Sequence, residues 1–132
     1  MFGSRRRGDN LAVRIYGFEG PHELYVFDSV AAAEGDLEAI DVKNNEYVLY
    51  ADDGTAISAA VRDGQVVLTP TGVRQRDQLR ERLRTYLTQP SVALDPALAD
   101  DPVALGGMLS ERDRAREWPR WVARPKDRRR PH

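Results

Sequence analysis

The chain has 132 residues, a length typical of a single domain, and its 20 basic and 21 acidic side chains give a net charge of −1. The absence of cysteine excludes disulfides, thiolate metal ligands and a cysteine nucleophile. No apolar run reaches the roughly 20 residues that a membrane-spanning helix needs, and no hydrophobic segment follows the basic amino end. We therefore expect a cytoplasmic protein without membrane association, present as a monomer or a homodimer.

The small net charge conceals blocks of opposite sign. Residues 8–70 contain twelve acidic and three basic side chains, which gives this block a net charge of −9. Residues 71–90 carry +3, and residues 111–132 carry +5. Such alternation has two interpretations: the basic segments fold back on the acidic body, or a charged face binds a partner.

An opening β-hairpin is predicted at the start of the body. Apolar residues alternate with polar or small ones between Leu11 and Ile15, and residues 23–27 repeat the pattern after a turn-forming run at residues 17–21. Alternation with period two places one face of each strand toward a core.

A helix is predicted to follow this hairpin. Val30, Ala33, Leu37 and Ile40 recur at spacings of three and four residues, which places them on one helix face, and Asp28 or Ser29 can cap its amino end. Glycine within this segment weakens the helix without abolishing it.

Three more strands are predicted at residues 47–50, 55–61 and 65–69. Asp-Asp-Gly at 52–54 and Asp-Gly at 63–64 separate them, and Asp-Gly favours tight hairpins because glycine tolerates the positive φ that these turns need. We therefore expect an antiparallel sheet of about five strands.

A second long helix is predicted up to about Thr88, because Leu79, Leu83, Tyr86 and Leu87 form one apolar stripe. The sequence thus predicts an α+β fold in the order β-β-α-β-β-β-α, with the helices packed on one face of the sheet.

The predicted core domain covers residues 10–90. Because prolines interrupt the later sequence, residues 91–123 are predicted to form an irregular extension with short helices near residues 102–105 and 110–117. Residues 1–9 and 124–132 are basic and predicted to be disordered.

No catalytic centre is predicted. His22 and His132 are the only histidines, no serine lies in a nucleophile-elbow motif, and the chain lacks dinucleotide- and phosphate-binding glycine motifs. We therefore expect a protein that is not an enzyme, with no catalytic residue, no metal ligand and no cofactor. The enzymatic alternative is a site built from carboxylates.

The acidic side chains of the body form the predicted partner-binding surface. The residues chosen for it are Asp36, Glu38, Asp41, Glu46, Asp52 and Asp53. Carboxylates near strand ends can also converge on a hard cation, although their spacing matches no calcium loop. For Asp52 and Asp53 a structural role in a turn is the favoured interpretation.

A row of arginines runs along the second long helix. Arg76, Arg80 and Arg84 follow one another at four-residue spacing, where like charges repel each other by a few tenths of a kcal/mol. Either the acidic sheet together with Asp77 and Glu81 offsets this repulsion, or the row binds an anionic partner such as nucleic acid.

Both tryptophans lie in the basic carboxy-terminal region. Trp118 and Trp121 have two interpretations: they anchor this segment on the domain, or they recognise a protein or a single-stranded nucleic acid. The arginines of the terminal segment could add electrostatic contacts to phosphates.

Residues 37–47 read LEAIDVKNNEY and residues 50–54 read YADDG. This pattern resembles one found in short uncharacterised bacterial α+β proteins, for which no activity is known. The resemblance implies structural roles, in which Leu37 and Ile40 pack a helix and Tyr47 starts a strand.

Some small acidic α+β proteins of bacteria act as immunity proteins that occlude the basic active site of a toxin. By analogy with that class, we predict a non-enzymatic interaction protein whose acidic body binds a basic surface on a protein partner. Toxin neutralisation is the most concrete version. The alternative is a nucleic-acid-associated protein that uses the arginine-rich helix and the terminal segment.

Overall fold

The structure is a computed structural model that describes the backbone of residues 13–116 and the side chains as far as residue 113. The segments predicted to be disordered, residues 1–9 and 124–132, lie outside this range. The described strands are β1 (Ile15–Glu19), β2 (Glu23–Phe27), β3 (Tyr47–Ala51), β4 (Thr55–Arg62) and β5 (Gln65–Arg74). The helices are α1 (Val30–Asp36), α2 (Ala39–Lys43), α3 (Arg76–Leu87) and α4 (Pro102–Arg116), with a 3-10 helix at Pro96–Asp100.

The five strands form one antiparallel sheet in the order β2-β1-β3-β4-β5. Asp63 (φ 51°) and Gly64 (φ 78°) both adopt left-handed conformations in the β4–β5 turn, as a tight two-residue hairpin requires. The predicted α+β class and the five-stranded antiparallel sheet are therefore confirmed.

Helices cover both faces of the sheet, whereas the sequence analysis placed them on one. Ile15 and Tyr16 are adjacent in β1 and point to opposite faces, yet both are fully buried. One face packs against α1 and α2 through a cluster of Ile15, Phe27, Ala33, Leu37, Val42, Leu49, Ala51, Ile57, Val66 and Leu68. The other packs against α3, the 3-10 helix and α4 through Tyr16, Phe18, Tyr50, Leu79, Leu83, Leu87, Ala99, Leu105 and Leu109.

The helix predicted between Val30 and Ile40 consists of two short helices. The Ser29 hydroxyl oxygen caps α1 by accepting a hydrogen bond from the backbone N–H of Ala32 at 3.0 Å. Leu37 then adopts an extended conformation, which ends α1 and changes the phase of the apolar stripe. As a result Ile40 is 64% exposed, and Val42 of α2 packs into the core in its place.

The two short helices predicted at residues 102–105 and 110–117 are instead one helix, α4, which continues through a Gly-Gly pair. A Cβ atom at Gly106 would lie 3.0 Å from the Tyr16 hydroxyl oxygen, so glycine permits close approach of α4 to β1. The Tyr16 hydroxyl donates a hydrogen bond to the Pro102 carbonyl oxygen at 2.6 Å. None of the helices in residues 13–116 has the length and apolar character needed to span a membrane.

We predict that Leu105→Ala lowers the free energy of unfolding by about 2–5 kcal/mol, because it leaves a cavity between α4 and the sheet. Val103→Ala is the matched control on the same helix. Its side chain is 51% exposed, so its effect should stay within about 0.5 kcal/mol. Urea denaturation of the full chain measures both values. Equal midpoints for the two variants would mean that α4 does not pack on the sheet.

Candidate partner-binding site

The six acidic residues predicted to bind a partner lie at two ends of the sheet. Glu46 directly precedes β3, and Asp52 and Asp53 directly follow it. A five-residue strand is about 17 Å long, so these carboxylates cannot form one continuous surface. Asp36, Glu38 and Asp41 lie at the Glu46 end. The structure therefore brings four of the six residues together and separates the other two.

Asp52 and Asp53 have structural partners. An Asp53 carboxylate oxygen accepts a hydrogen bond from the Thr55 backbone N–H at 2.9 Å, the turn role favoured from the sequence. Asp52 is 5% exposed, and its carboxylate accepts a hydrogen bond from the backbone N–H of Arg14 at 3.3 Å. Burial raises the pKa of Asp52. Burial is also the largest single influence on Asp53 and acts to raise its pKa, but the hydrogen bonds from Thr55 and the charges of Arg74 and Arg76 together lower that pKa.

At the opposite end of the sheet lies a groove of about 390 Å³. We call it the acid–aromatic groove, and its lining residues are Glu19, Tyr25, Phe27, Asp36, Leu37, Glu38, Asp41 and Tyr47. Aromatic and aliphatic side chains are thus combined with four carboxylates. Tyr25 is 39% exposed, so part of its ring is accessible to a partner.

Strand pairing creates one side of this groove. Glu19 of β1 lies directly opposite Glu23 of β2 and, on its other flank, opposite Tyr47 of β3. Side chains at paired positions share a sheet face, and two like charges directly opposite each other destabilise the sheet. The Tyr25 hydroxyl donates a hydrogen bond to Glu19 at 3.0 Å and also lies 3.2 Å from a Glu23 carboxylate oxygen. Two carboxylates are therefore held together around a phenol.

The tyrosine rings of the groove are fixed by each other and by carboxylates. The Tyr25 and Tyr47 rings meet edge to face, with centroids 6.4 Å apart, and the Tyr47 hydroxyl donates a hydrogen bond to Asp41 at 3.3 Å. Loss of hydration raises the pKa of both phenols, and the neighbouring carboxylates raise it further. Both hydroxyls stay protonated at neutral pH and direct their protons to carboxylates.

Five carboxylates in or beside the groove form no salt bridge in the described part of the chain. Within residues 13–113, no lysine or arginine forms an ion pair with Glu19, Glu23, Glu38, Asp41 or Glu46. The charge of Asp41 is the main cause that raises the pKa of Glu46. These carboxylates therefore repel one another.

Three carboxylates beside the groove are close enough to be considered as ligands of a cation. One oxygen each from Glu19, Asp41 and Glu46 lies within 4.8 Å of the other two. Calcium takes six to eight oxygen ligands at about 2.3–2.6 Å, and these three side chains supply only part of such a set. These three carboxylates alone therefore do not make a complete calcium site.

The arginine row of α3 is largely neutralised by neighbouring acids. Arg80 pairs with Asp77 at 2.6 Å, and Arg84 pairs with Asp100 at 2.8 Å. For these two arginines, the structure therefore fits the interpretation in which neighbouring acidic residues offset the repulsion within the row. Arg76 lines a separate cavity of about 280 Å³ at the Asp52 end of the sheet. Trp118 and Trp121 lie outside the residues described.

Three groove residues, Glu19, Tyr25 and Tyr47, were missed as site residues by the sequence analysis. The alternation within β2 already placed Glu23 and Tyr25 on one strand face. Which residues lie beside them depends on pairing among β1, β2 and β3, and no local pattern encodes that register. Sequence patterns therefore predicted that this region is acidic, but they did not predict that Tyr25 and Tyr47 lie among its carboxylates.

Comparison of the chain with protein-family models, with curated proteins and with solved structures gives no match in any of the three. No family is therefore assigned. The acid–aromatic groove is identified by its own shape, charge and hydrogen bonding.

We predict that Glu46→Gln raises the melting temperature at pH 7. The folded-state pKa of Glu46 lies above its unfolded value, so repulsion from Asp41 is absent at low pH and grows as pH rises through that pKa. The gain should therefore disappear at about pH 3, where the Glu46 side chain is protonated and is as uncharged as the glutamine that replaces it. Thermal unfolding followed by circular dichroism at both pH values measures it. A lower melting temperature for Glu46→Gln at pH 7 would contradict the repulsion.

Proposed function

We propose that this protein is a non-enzymatic interaction protein that binds a basic surface on a protein partner through the acid–aromatic groove. The observation that carries the proposal is the set of groove carboxylates Glu19, Glu38 and Asp41, which form no ion pair with lysine or arginine within residues 13–113 and lie beside partly exposed aromatic rings. A cationic surface would fill this groove and remove the repulsion among its carboxylates.

Charge and aromatic area would contribute differently to such a complex. The carboxylates would attract a basic partner at long range and raise the association rate, an effect that falls as salt increases. The rings of Tyr25 and Tyr47 would supply contact area at short range and slow dissociation. This combination favours recognition of a basic protein surface over nonspecific attraction of cations.

Toxin neutralisation is the most concrete form of the proposal. An acidic α+β domain can block a basic active site by covering it, and this requires only a complementary surface. Leu37, Glu38 and Asp41 would take part in such a surface, because all three line the groove. We propose a cytoplasmic location and a monomeric or homodimeric state.

A nucleic-acid-binding role through α3 receives less support. Arg80 and Arg84 already have carboxylate partners, and displacing those partners would reduce the gain from contacts with phosphate. Only Arg76 of the row has no ion pair within residues 13–113.

We predict that neutralising three groove carboxylates weakens binding of a labelled peptide with alternating lysine and arginine by about tenfold or more at low salt. The variant is Glu19→Gln, Glu38→Gln and Asp41→Asn in the full chain. The control variant, Asp63→Asn, Asp77→Asn and Glu81→Gln, changes the net charge equally at exposed positions elsewhere. Fluorescence anisotropy at low and high salt measures affinity, and circular dichroism checks folding.

An equal loss of affinity in both triple variants would mean that only net charge matters and would exclude a specific groove. Binding of the peptide that is insensitive to salt would also contradict the proposal. Tighter binding to a single-stranded oligonucleotide than to the peptide would favour the nucleic-acid alternative.

A further inference from the structure

The polar side chains that line the acid–aromatic groove present acceptors to a ligand. The groove contains four carboxylates. When ionised, a carboxylate can accept hydrogen bonds but cannot donate them. The two tyrosine hydroxyls direct their protons to Glu19 and Asp41, so these protons are engaged within the wall. The ring faces are electron-rich as well. A matching ligand is therefore cationic and carries donors without acceptors, a description that fits arginine and lysine among the side chains that stay charged at neutral pH.

The positions of these acceptors favour the guanidinium group of arginine over the ammonium group of lysine. Glu19 belongs to β1, Glu38 lies between α1 and α2, and Asp41 belongs to α2, so the acceptors surround the groove from different elements. A guanidinium has five donors in one plane and can bond two separate carboxylates, whereas an ammonium is a compact charge that keeps more of its hydration.

The floor of the groove also favours the planar cation. Tyr25 stacks on Phe27 with ring centroids 6.3 Å apart, and Tyr47 meets Tyr25 edge to face. Guanidinium groups stack on aromatic rings and lose less hydration than ammonium groups when they do so. Tyr25 is 39% exposed and its hydroxyl bonds the Glu19 carboxylate, so a guanidinium placed on Tyr25 would lie within reach of that carboxylate.

We infer that the acid–aromatic groove accepts an arginine side chain of the protein partner and discriminates against lysine. The inference rests on the proposed function and adds the identity of the recognised side chain. A partner surface rich in lysine would then be attracted by the same field but would lack the stacking contact on Tyr25.

The experiment compares fluorescein-labelled hexa-arginine and hexa-lysine peptides, which carry equal charge, in anisotropy titrations of the full chain. Hexa-arginine should bind about fivefold tighter or more. Tyr25→Phe keeps the ring and should keep this preference. Tyr25→Leu removes the ring without changing the charge, and its two affinities should become nearly equal. Circular dichroism spectra of both variants verify that the fold is retained.

Each of the other possible outcomes contradicts the arginine inference, and one of them also contradicts the proposed function. Equal affinities with a steep salt dependence would overturn the arginine inference and leave the proposed function standing, whereas no binding of either peptide would overturn both. A preference for hexa-arginine that persists in Tyr25→Leu would place recognition outside the groove. If replacing Arg128, Arg129 and Arg130 by serine tightened the hexa-arginine complex, the chain's own arginines would be the occupants, which would overturn the assignment to a partner.

Discussion

The structure depends on the burial of β1 from both sides. Consecutive side chains of a strand point to opposite faces, and in β1 the residues from Ile15 to Phe18 are all buried. Neither face can therefore remain in water, and each needs its own helical layer. Gly17 adds a steric constraint, because a Cβ atom there would lie 3.1 Å from a methyl carbon of Leu49. The helices α1 and α2 cover one face, and the chain beyond Pro90 is needed to cover the other through α4.

The same strand also explains where the groove forms. At Glu19, the last residue of β1, the side chain reaches the edge of the layer that buries Phe27 and Leu49 on the same face. Cross-strand pairing then aligns Glu19 with Glu23 and Tyr47, which concentrates charge and aromatic area at one end of the sheet. Natural sequences depart from locally favourable choices mainly where function requires it. Placing Glu19 opposite Glu23 is such a departure, and the binding role that we propose would give it a physical reason.

Local patterns predicted five strands and the Asp-Gly turns that join β3, β4 and β5, because alternation and tight turns depend on neighbouring residues. The position of β1 was wrong, because this strand begins at Ile15 and includes Gly17 and Phe18, which were assigned to a turn. Coverage of both faces was missed although the unbroken run from Ile15 to Phe18 is a pattern typical of strands buried on two sides. The glycine pair at 106–107 suggested a break in α4, and only the nearby Tyr16 side chain explains why glycine lies within a continuous helix. Within the site, acidic composition was visible from the sequence, whereas the position of Tyr25 beside Glu19 depends on strand register.

The acid–aromatic groove differs from α3 in whether its charged side chains form ion pairs. Arg80 and Arg84 of α3 pair with Asp77 and Asp100, whereas Glu19, Glu38 and Asp41 of the groove form no ion pair within residues 13–113. Proton binding and cation binding to these carboxylates are thermodynamically linked. A cation that binds the ionised carboxylates lowers their pKa, and protonation of the carboxylates weakens binding of the cation by the same coupling free energy. Because repulsion from Asp41 raises the pKa of Glu46, a guanidinium bound beside these two carboxylates would lower that pKa again. In the proposed complex, stability and recognition would therefore be coupled through the same few carboxylates.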